Sequence, residues 1–372
     1  MIETLPPSPV CEPPLWLEAR SRGTMSSRAV VFHAPSHVFQ SPGGGENQLV
    51  QTGLHLESRG VDVHLFCPWT DRLDRARLLH LFGMSREGLE LARVARARKI
   101  PVVLSPICWF EPRAIAALAT GPAGRAWGLA KWSALQVSSR WPNWRRDLLR
   151  LADAVLPNSL AEARQLVRLF GIDPGRVRIV PNGVRSTFAQ ASPELIRALH
   201  GPDDFVLFVG RIEPRKNVLG LIRAVARVGV PLVVIGAPPA GHEPFAEECR
   251  RAGEGFVLWL GALDHDDPLL ASAYAAARVF ALPSWFETPG LAALEAALAG
   301  CAVAITPYGC TREYFGNRVE YARPDRTAEI HAAVLRGWLL GPDLRLADHV
   351  AAHFLWSDVA RRTADVYEQV AD

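Results

Sequence analysis

Short apolar runs, each followed by a polar loop and a segment of helical periodicity, recur along this chain of 372 residues. Continuous apolar runs are typical of strands buried on both faces of a parallel sheet, because a half-exposed strand alternates apolar and polar residues. The predicted strands cover residues 29–35, 61–66, 101–106, 152–159, 177–184, 205–210, 231–236, 256–263, 279–282 and 301–306, and residues 72–99 are predicted to be helical. The recurring order of strand, loop and helix predicts an α/β fold with doubly wound parallel sheets.

A polar stretch over residues 185–203 separates two blocks of predicted strands. The chain is long enough for two domains that each have their own core. We therefore predict an N-terminal domain over 28–190, a C-terminal domain over 203–355 and a helix over 356–372. Residues 1–27 contain acids and prolines where a signal peptide would have basic residues and an apolar core, so we predict a disordered extension.

Composition excludes several classes of function. The formal net charge of +3 is too small an excess for a nucleic-acid-binding stripe, so no nucleic-acid partner is expected. The six cysteines are scattered without a CxxC pair, which predicts reduced thiols in a cytoplasmic protein and argues against a zinc site. The longest nearly apolar run, 291–305, is too short for a transmembrane helix and contains a glutamate.

The stretch VFALPSWFETPGLAALEAALAG, residues 279–300, combines a buried strand, a short loop and an alanine-rich helix. Thr288 is the predicted N-cap of the helix and Pro289 its first residue. Glu287 lies in the loop and Glu295 about two turns inside the helix. A strand end beside a helix N-terminus is suited to binding an anion. Two carboxylates there suit a ligand that has hydroxyls as well as phosphate, such as a nucleotide sugar.

Two further turns follow predicted strands. Arg211 and Lys216 lie in the turn GRIEPRKN, where an arginine and a lysine could bind a diphosphate and stabilise it as a leaving group. The alternative is that these basic side chains are simply solvated. The glycines over 43–45 allow close approach of the backbone to a ligand, but their spacing is not GxGxxG, and a plain flexible turn is the alternative.

The segment 109–150 interleaves tryptophans with basic residues: Trp109, Trp127, Trp132, Trp141 and Trp144 alternate with Arg125, Lys131, Arg140, Arg145 and Arg146. This composition suits a membrane interface, an acceptor groove in which sugars stack, or a partner surface. The alternative is a pair of helices whose tryptophans are buried in the core. Peripheral contact with the inner face of the membrane is therefore a hypothesis.

The pair Glu287 and Glu295, with seven residues between them, and the turn GRIEPRKN together resemble retaining glycosyltransferases of family 4. The motifs GGGE at 43–46, VPNGV at 180–184 and WSDVA at 356–360 support the resemblance, which spans about residues 29–370. It implies the GT-B fold, in which two Rossmann-like domains face a central cleft. The N-terminal domain would be on the acceptor side, the C-terminal domain would bind the nucleotide sugar, and the last helix would return toward the N-terminal domain.

The resemblance also implies residue roles. Arg211 and Lys216 would neutralise the leaving diphosphate, Glu287 would contact the donor sugar, and Glu295 would hold the ribose. The implied donor-binding set is Gly43, Gly44, Thr288, Gly290, Leu291 and Glu295.

The implied reaction moves a hexose from a UDP- or GDP-sugar to an acceptor hydroxyl of a glycan or lipid-linked acceptor, with retention of configuration. Neither a metal nor another cofactor is implied, so the turn over 264–266, sequence DHD, is interpreted as solvated. There are two departures from the family. Pro289 stands where an aromatic residue is common and lacks an amide donor, and residues 105–107 read SPI where many members have a histidine.

Two other functions stay open. A degenerate transferase could act as a scaffold or partner subunit, although the retention of both carboxylates and both basic residues argues against it. A dinucleotide-dependent oxidoreductase is disfavoured, because neither first turn reads GxGxxG.

Overall fold

The computed structural model describes residues 25–26, 28–36, 38, 43–119, 121–138, 143–200 and 204–371. These residues form two compact units. The N-terminal unit contains the described residues up to 112, those within 121–183 and the helix that begins at Trp356. The C-terminal unit contains 113–119 and the described residues within 184–355.

The N-terminal unit has a parallel sheet of five strands in the order β2-β1-β3-β4-β5. Its strands are β1 (Val30–His33), β2 (Val63–Leu65), β3 (Leu78–Phe82), β4 (Val102–Ser105) and β5 (Ala154–Val155). The strand order reverses direction between β1 and β3, so the carboxyl ends of these two strands form the topological switch point of the sheet. The predicted doubly wound fold of this half is confirmed.

Two details of the predicted N-terminal half are wrong. Residues 72–99 are not one helix, because β3 occupies 78–82 and pairs with both β1 and β4. All five residues of β3 are buried, so its central place in the sheet outweighs the helical character of the surrounding sequence. The predicted strand over 177–184 forms only isolated bridges, from Val177 to Val155 and from Val184 to Leu355.

The C-terminal unit has a parallel sheet of six strands in the order β11-β10-β9-β6-β7-β8. Its strands are β6 (Val206–Val209), β7 (Leu232–Ile235), β8 (Val257–Gly261), β9 (Val279–Leu282), β10 (Ala302–Ile305) and β11 (Glu320–Tyr321). The order reverses between β6 and β9, so the loops that leave these two strands meet at the carboxyl edge of the sheet.

The helices in chain order are α1 (Gly44–Glu57), α2 (Arg86–Ala97), α3 (Pro112–Ala117), α4 (Gly121–Ser138), α5 (Trp144–Leu151), α6 (Leu160–Phe170), α7 (Glu194–His200), α8 (Val218–Val228), α9 (Glu243–Ala252), α10 (Pro268–Ala276), α11 (Leu291–Leu298), α12 (Thr311–Phe315), α13 (Thr327–Leu340), α14 (Leu344–His353) and α15 (Trp356–Ala371). Among the described residues, none of these helices combines the length and the apolar character needed to span a bilayer.

The last helix, α15, is part of the N-terminal unit and is fixed there by a buried polar network. The ring nitrogens of His80 contact the hydroxyls of Tyr367 (2.5 Å) and Ser105 (3.0 Å). Burial lowers the pKa of His80 to about 3, so the ring is neutral. The predicted extension over 1–27 lies almost wholly outside the described residues, but Met25 is buried in the core of this unit.

The segment rich in tryptophan and basic residues contains more than one environment. Trp132 and Trp144 pack against the core of the N-terminal unit. Trp127 on α4 is 64% exposed and lies beside the ammonium of Lys131, 5.0 Å from the ring centre. The predicted contributions of residues 140 and 141 lie outside the described residues.

Glu162, at the start of α6, connects the loops that follow β4 and β5. Its carboxylate accepts hydrogen bonds from the amides of Cys108 (2.7 Å) and Asn158 (2.8 Å), and its side chain is buried. Burial raises the pKa of Glu162 to about 7, despite these two hydrogen bonds.

We expect Glu162 to make stability depend on pH. Because its pKa is higher in the folded than in the unfolded protein, its contribution is complete below about pH 4.5 and is lost as the pH rises through about 7. Denaturant unfolding of wild type and Glu162→Gln between pH 5 and 8 should show the stability advantage of the wild type shrinking as the pH rises. An advantage that stays constant or grows over this range would contradict the assignment.

Candidate functional site

The two loops at the switch point of the C-terminal unit are joined to each other. β6 pairs directly with β9, with Val206 opposite Val279. The amide of Trp285 donates to the carbonyl of Arg215 (2.9 Å), and the side-chain amide of Asn217 donates to the carbonyl of Pro283 (3.1 Å). These bonds hold the GRIEPRKN turn against the loop that follows β9.

Lys216 and Glu287 form a buried ion pair across these loops. Nζ of Lys216 lies 2.7 Å from Oε1 of Glu287, and the two side chains are 15% and 6% exposed. Burial alone would raise the pKa of Glu287, but the charges of Lys216 and Arg215 outweigh it and hold the pKa below its ordinary value. The carboxylate is therefore ionised at neutral pH.

The two predicted diphosphate-binding residues differ in accessibility. Lys216 is engaged by Glu287, whereas the side chain of Arg211 is 40% exposed and lies 3.4 Å from Glu213. Arg215, which the sequence analysis did not single out, pairs more closely with Glu213, at 2.9 Å. The sequence could have indicated Arg215, because it belongs to the same basic turn, GRIEPRKN.

The backbone of Glu287 is fixed by the loop that follows β10. Its amide donates to the carbonyl of Tyr308 (3.1 Å), and its carbonyl accepts from the amide of Cys310 (3.0 Å). Gly309, between them, has φ +95°, and a Cβ there would lie 1.9 Å from the Glu287 carbonyl oxygen. Only glycine permits this approach.

Helix α11 begins later than predicted. Its N-cap is Gly290, with φ +91°, and its first residue is Leu291, so the prediction of Thr288 as N-cap and Pro289 as first helical residue is wrong. The left-handed backbone of Gly290 ends the loop and cannot continue a right-handed helix back to Thr288. The first amides of α11 have no partner within the helix, and Cγ of Glu287 lies 3.4 Å from the ideal Cβ position of Gly290.

Glu295 lies one turn inside α11 and is bonded through both oxygens. The Nε2–H of His265 donates to Oε1 (2.6 Å), and the hydroxyl of Tyr274 donates to Oε2 (2.8 Å). Burial would raise the pKa of Glu295, but these two groups and the charge of Arg185 outweigh it and lower the pKa. The interpretation of residues 264–266 as only a solvated turn is therefore wrong for His265.

The predicted site residues fall into two groups. Arg211, Lys216, Glu287, Thr288, Gly290, Leu291 and Glu295 belong to the C-terminal unit, on loops and a helix at one edge of its sheet. Gly43 and Gly44 belong to the N-terminal unit, where they are the N-cap and first residue of α1. Within the described residues, no three His, Cys, Asp or Glu side chains cluster as a metal site would require.

Two family models match the chain. Glycosyl transferases group 1 matches residues 203–338, and a glycosyl transferase 4-like domain matches residues 69–183. Similar curated proteins include D-inositol 3-phosphate glycosyltransferase 2 of Catenulispora acidiphila, 35% identical over 242 residues, which are 59% of this chain and 56% of that protein. The D-inositol 3-phosphate glycosyltransferase of Acidothermus cellulolyticus is 31% identical over 244 residues, which are 59% of this chain and 54% of that protein. The chain thus spans just over half the length of these relatives.

Solved structures resemble this fold over most of the chain. Sucrose-phosphate synthase from Thermosynechococcus elongatus has a TM-score of 0.72 at 19% identity, covering 92% of this chain and 98% of that one. Anabaena Alr3699/HepE, in complex with UDP and glucose, has a TM-score of 0.68 at 18% identity, covering 92% and 99%. At these identities the likeness concerns the fold, and it confirms the predicted GT-B architecture.

Proposed function

We propose that this chain, which belongs to the GT-B glycosyltransferases of family 4, is a retaining, metal-independent hexosyltransferase. A glycosyl transferases group 1 model matches residues 203–338, and a glycosyl transferase 4-like domain model matches residues 69–183. It would move a hexose from a nucleoside-diphosphate sugar to an acceptor hydroxyl. The observation that carries this proposal is the buried Lys216–Glu287 pair at the switch point, beside the start of α11.

The diphosphate of the donor would lie between the GRIEPRKN turn and α11. The half-exposed guanidinium of Arg211 can bind phosphate oxygens through two N–H groups, and the ammonium of Lys216 adds a point charge. The first amides of α11 supply further donors. All three would stabilise the charge that develops as the bond from the sugar carbon C1 to the diphosphate oxygen breaks.

Glu287 would hold the donor sugar through its hydroxyls. Its ionised carboxylate can accept hydrogen bonds, and the contact with Lys216 fixes one of its oxygens. In the proposed step the acceptor oxygen bonds to C1 on the face that the diphosphate leaves, and the acceptor proton passes to a diphosphate oxygen. Retention then requires no protein nucleophile.

Support for a uridine donor comes from Alr3699/HepE, whose solved structures contain UDP or UDP-glucose, while GDP remains an alternative. The relatives named for D-inositol 3-phosphate support a polyol hydroxyl as the acceptor, and a glycan hydroxyl is a further alternative. Lipid-linked acceptors also fit the proposal.

The assay that tests this function measures nucleoside diphosphate released from UDP-, GDP-, ADP- and dTDP-hexoses, with EDTA present and candidate acceptors added. Release with one donor and a product of unchanged anomeric configuration would support it. Lys216→Ala should greatly reduce this release, and Lys99→Ala, at an exposed lysine that follows α2, is its matched control. No release from any donor would favour the scaffold interpretation, whereas reduction of a nicotinamide dinucleotide would favour the oxidoreductase.

Tyr274→Phe is expected to weaken nucleoside diphosphate binding about three- to tenfold, because it removes the hydrogen bond that orients Glu295 while keeping the aromatic ring. Tyr321→Phe is a matched control, since the Tyr321 hydroxyl donates to the carbonyl of Gly316 (2.8 Å) in the same unit. Equal Kd values for both variants and wild type in titration calorimetry would show that Tyr274 does not position Glu295.

We also propose that the protein is cytoplasmic and contacts the membrane surface through the 109–150 segment. The membrane contact is supported by Trp127, which is 64% exposed and lies beside Lys131, since tryptophan and lysine favour the lipid headgroup region. Trp127→Ala should reduce co-sedimentation with anionic vesicles severalfold. Binding that is unchanged in this variant would contradict the assignment to this segment.

A further inference from the structure

The carboxylate proposed to hold the ribose is covered on one side by a histidine. Tyr274 is fully buried and binds Oε2 of Glu295 from the interior. His265 binds Oε1, and its side chain is 32% exposed, so it lies on the solvent side. Glu295 itself is only 5% exposed. A ligand that approaches from solvent therefore meets His265 before it reaches Oε1.

The backbone around His265 is fixed, while its ring is partly exposed to solvent. The guanidinium of Arg185 donates to the carbonyl of His265 and to the carboxylate of Asp266. Arg185 also lies over the ring of Phe188, 5.2 Å from its centre, and Phe188 packs edge-on against both His265 and Tyr274. Exposing Oε1 thus requires rotation of the His265 side chain rather than movement of the loop.

We propose that His265 covers Glu295 in the nucleotide-free protein and that a ribose hydroxyl of the nucleoside diphosphate replaces it. The inference rests on the proposed function, because it takes Glu295 as the ribose ligand. His265 is then a specificity-determining residue. A ligand whose hydroxyl donates to Oε1 replaces the hydrogen bond that the histidine gives up, and a ligand without such a hydroxyl leaves that oxygen either covered by His265 or unsatisfied.

Substitution of His265 should increase the affinity for the nucleotide, whereas substitution of an ordinary binding residue decreases it. His265→Ala removes the competing donor, so UDP or GDP should bind about three- to tenfold more tightly, the range that one net hydrogen bond supports. The 2′,3′-dideoxy form of the same nucleotide cannot replace His265, so its Kd should stay unchanged. A structural effect of the substitution would alter both Kd values together.

Titration calorimetry of wild type and His265→Ala with the ribonucleotide and its dideoxy form tests the proposal. His265→Asn, whose shorter side chain also vacates Oε1, serves if the alanine variant does not fold. His331→Ala, a half-buried histidine on α13 that contacts the carbonyl of Ala224 (3.3 Å), is the matched control. Weaker or unchanged ribonucleotide binding in His265→Ala would overturn this inference but not the proposed function. Absence of binding by wild type and by every variant would overturn the proposed function as well.

Discussion

Replacing Lys216 with alanine is expected to lower kcat for sugar transfer by about a hundred- to a thousandfold. This is the typical effect of losing one preorganised donor that stabilises the charge of a leaving group. The free energy of unfolding should also fall by about 3 kcal/mol, because the substitution leaves the Glu287 carboxylate buried without its partner at 2.7 Å. Stability and activity are therefore both lost, for different reasons.

A double substitution separates these reasons. Lys216→Met with Glu287→Gln replaces the ion pair by neutral side chains of similar volume, so most of the stability should return in denaturant unfolding. Activity should not return, since the charge that stabilises the diphosphate and the carboxylate that holds the sugar are both gone. Full activity in either variant would contradict the assigned role of Lys216, and unchanged stability of Lys216→Ala would show that the pair contributes little to folding.

Gly309→Ala is expected to damage both the fold and the site, although it adds only a single methyl group. The new Cβ would lie 1.9 Å from the carbonyl oxygen of Glu287, and φ is +95°. Backbone strain and overpacking each typically cost about 1–3 kcal/mol, so a total of roughly 3 kcal/mol is expected. Because the clash falls on the Glu287 backbone, the carboxylate should move and sugar transfer should be lost.

Gly300→Ala is the matched control for this prediction. Gly300 has φ +98° but no heavy atom within 4 Å of the Cβ position, so its substitution introduces strain without a clash. We expect it to cost about 1 kcal/mol and to leave activity unchanged. Similar unfolding free energies and similar kcat values for the two variants would mean that the contact between Gly309 and Glu287 does not shape the site.

The sequence predicted the parts of the site that depend on chain order. Buried strands followed by polar loops indicate parallel sheets, and such sheets bring the loops after their strands to one edge. The positions of Arg211, Lys216 and Glu287 at one switch point follow from that pattern and from the family resemblance. Their pairing does not, because it depends on where the side chains point.

The missed features depend on tertiary contacts. The strand β3 lies in a stretch that looks helical, and only its pairing with β1 and β4 makes it a strand. Thr288 precedes an apolar helix like an ordinary N-cap, but the backbone of Gly290 ends the loop instead. His265 lies 30 residues from Glu295 in a turn whose composition is typical of solvent exposure, and no local pattern connects the two.

We expect the switch point of the C-terminal unit to bind a nucleoside diphosphate. The decisive experiment is titration calorimetry of wild type with UDP, GDP, ADP and dTDP in the presence of EDTA. One of these nucleotides should bind, its binding should be lost in the folded Lys216→Met and Glu287→Gln double variant, and Lys131→Ala should bind it normally. Equal affinity in the wild type and the double variant, or no binding of any nucleotide by the wild type, would contradict this expectation.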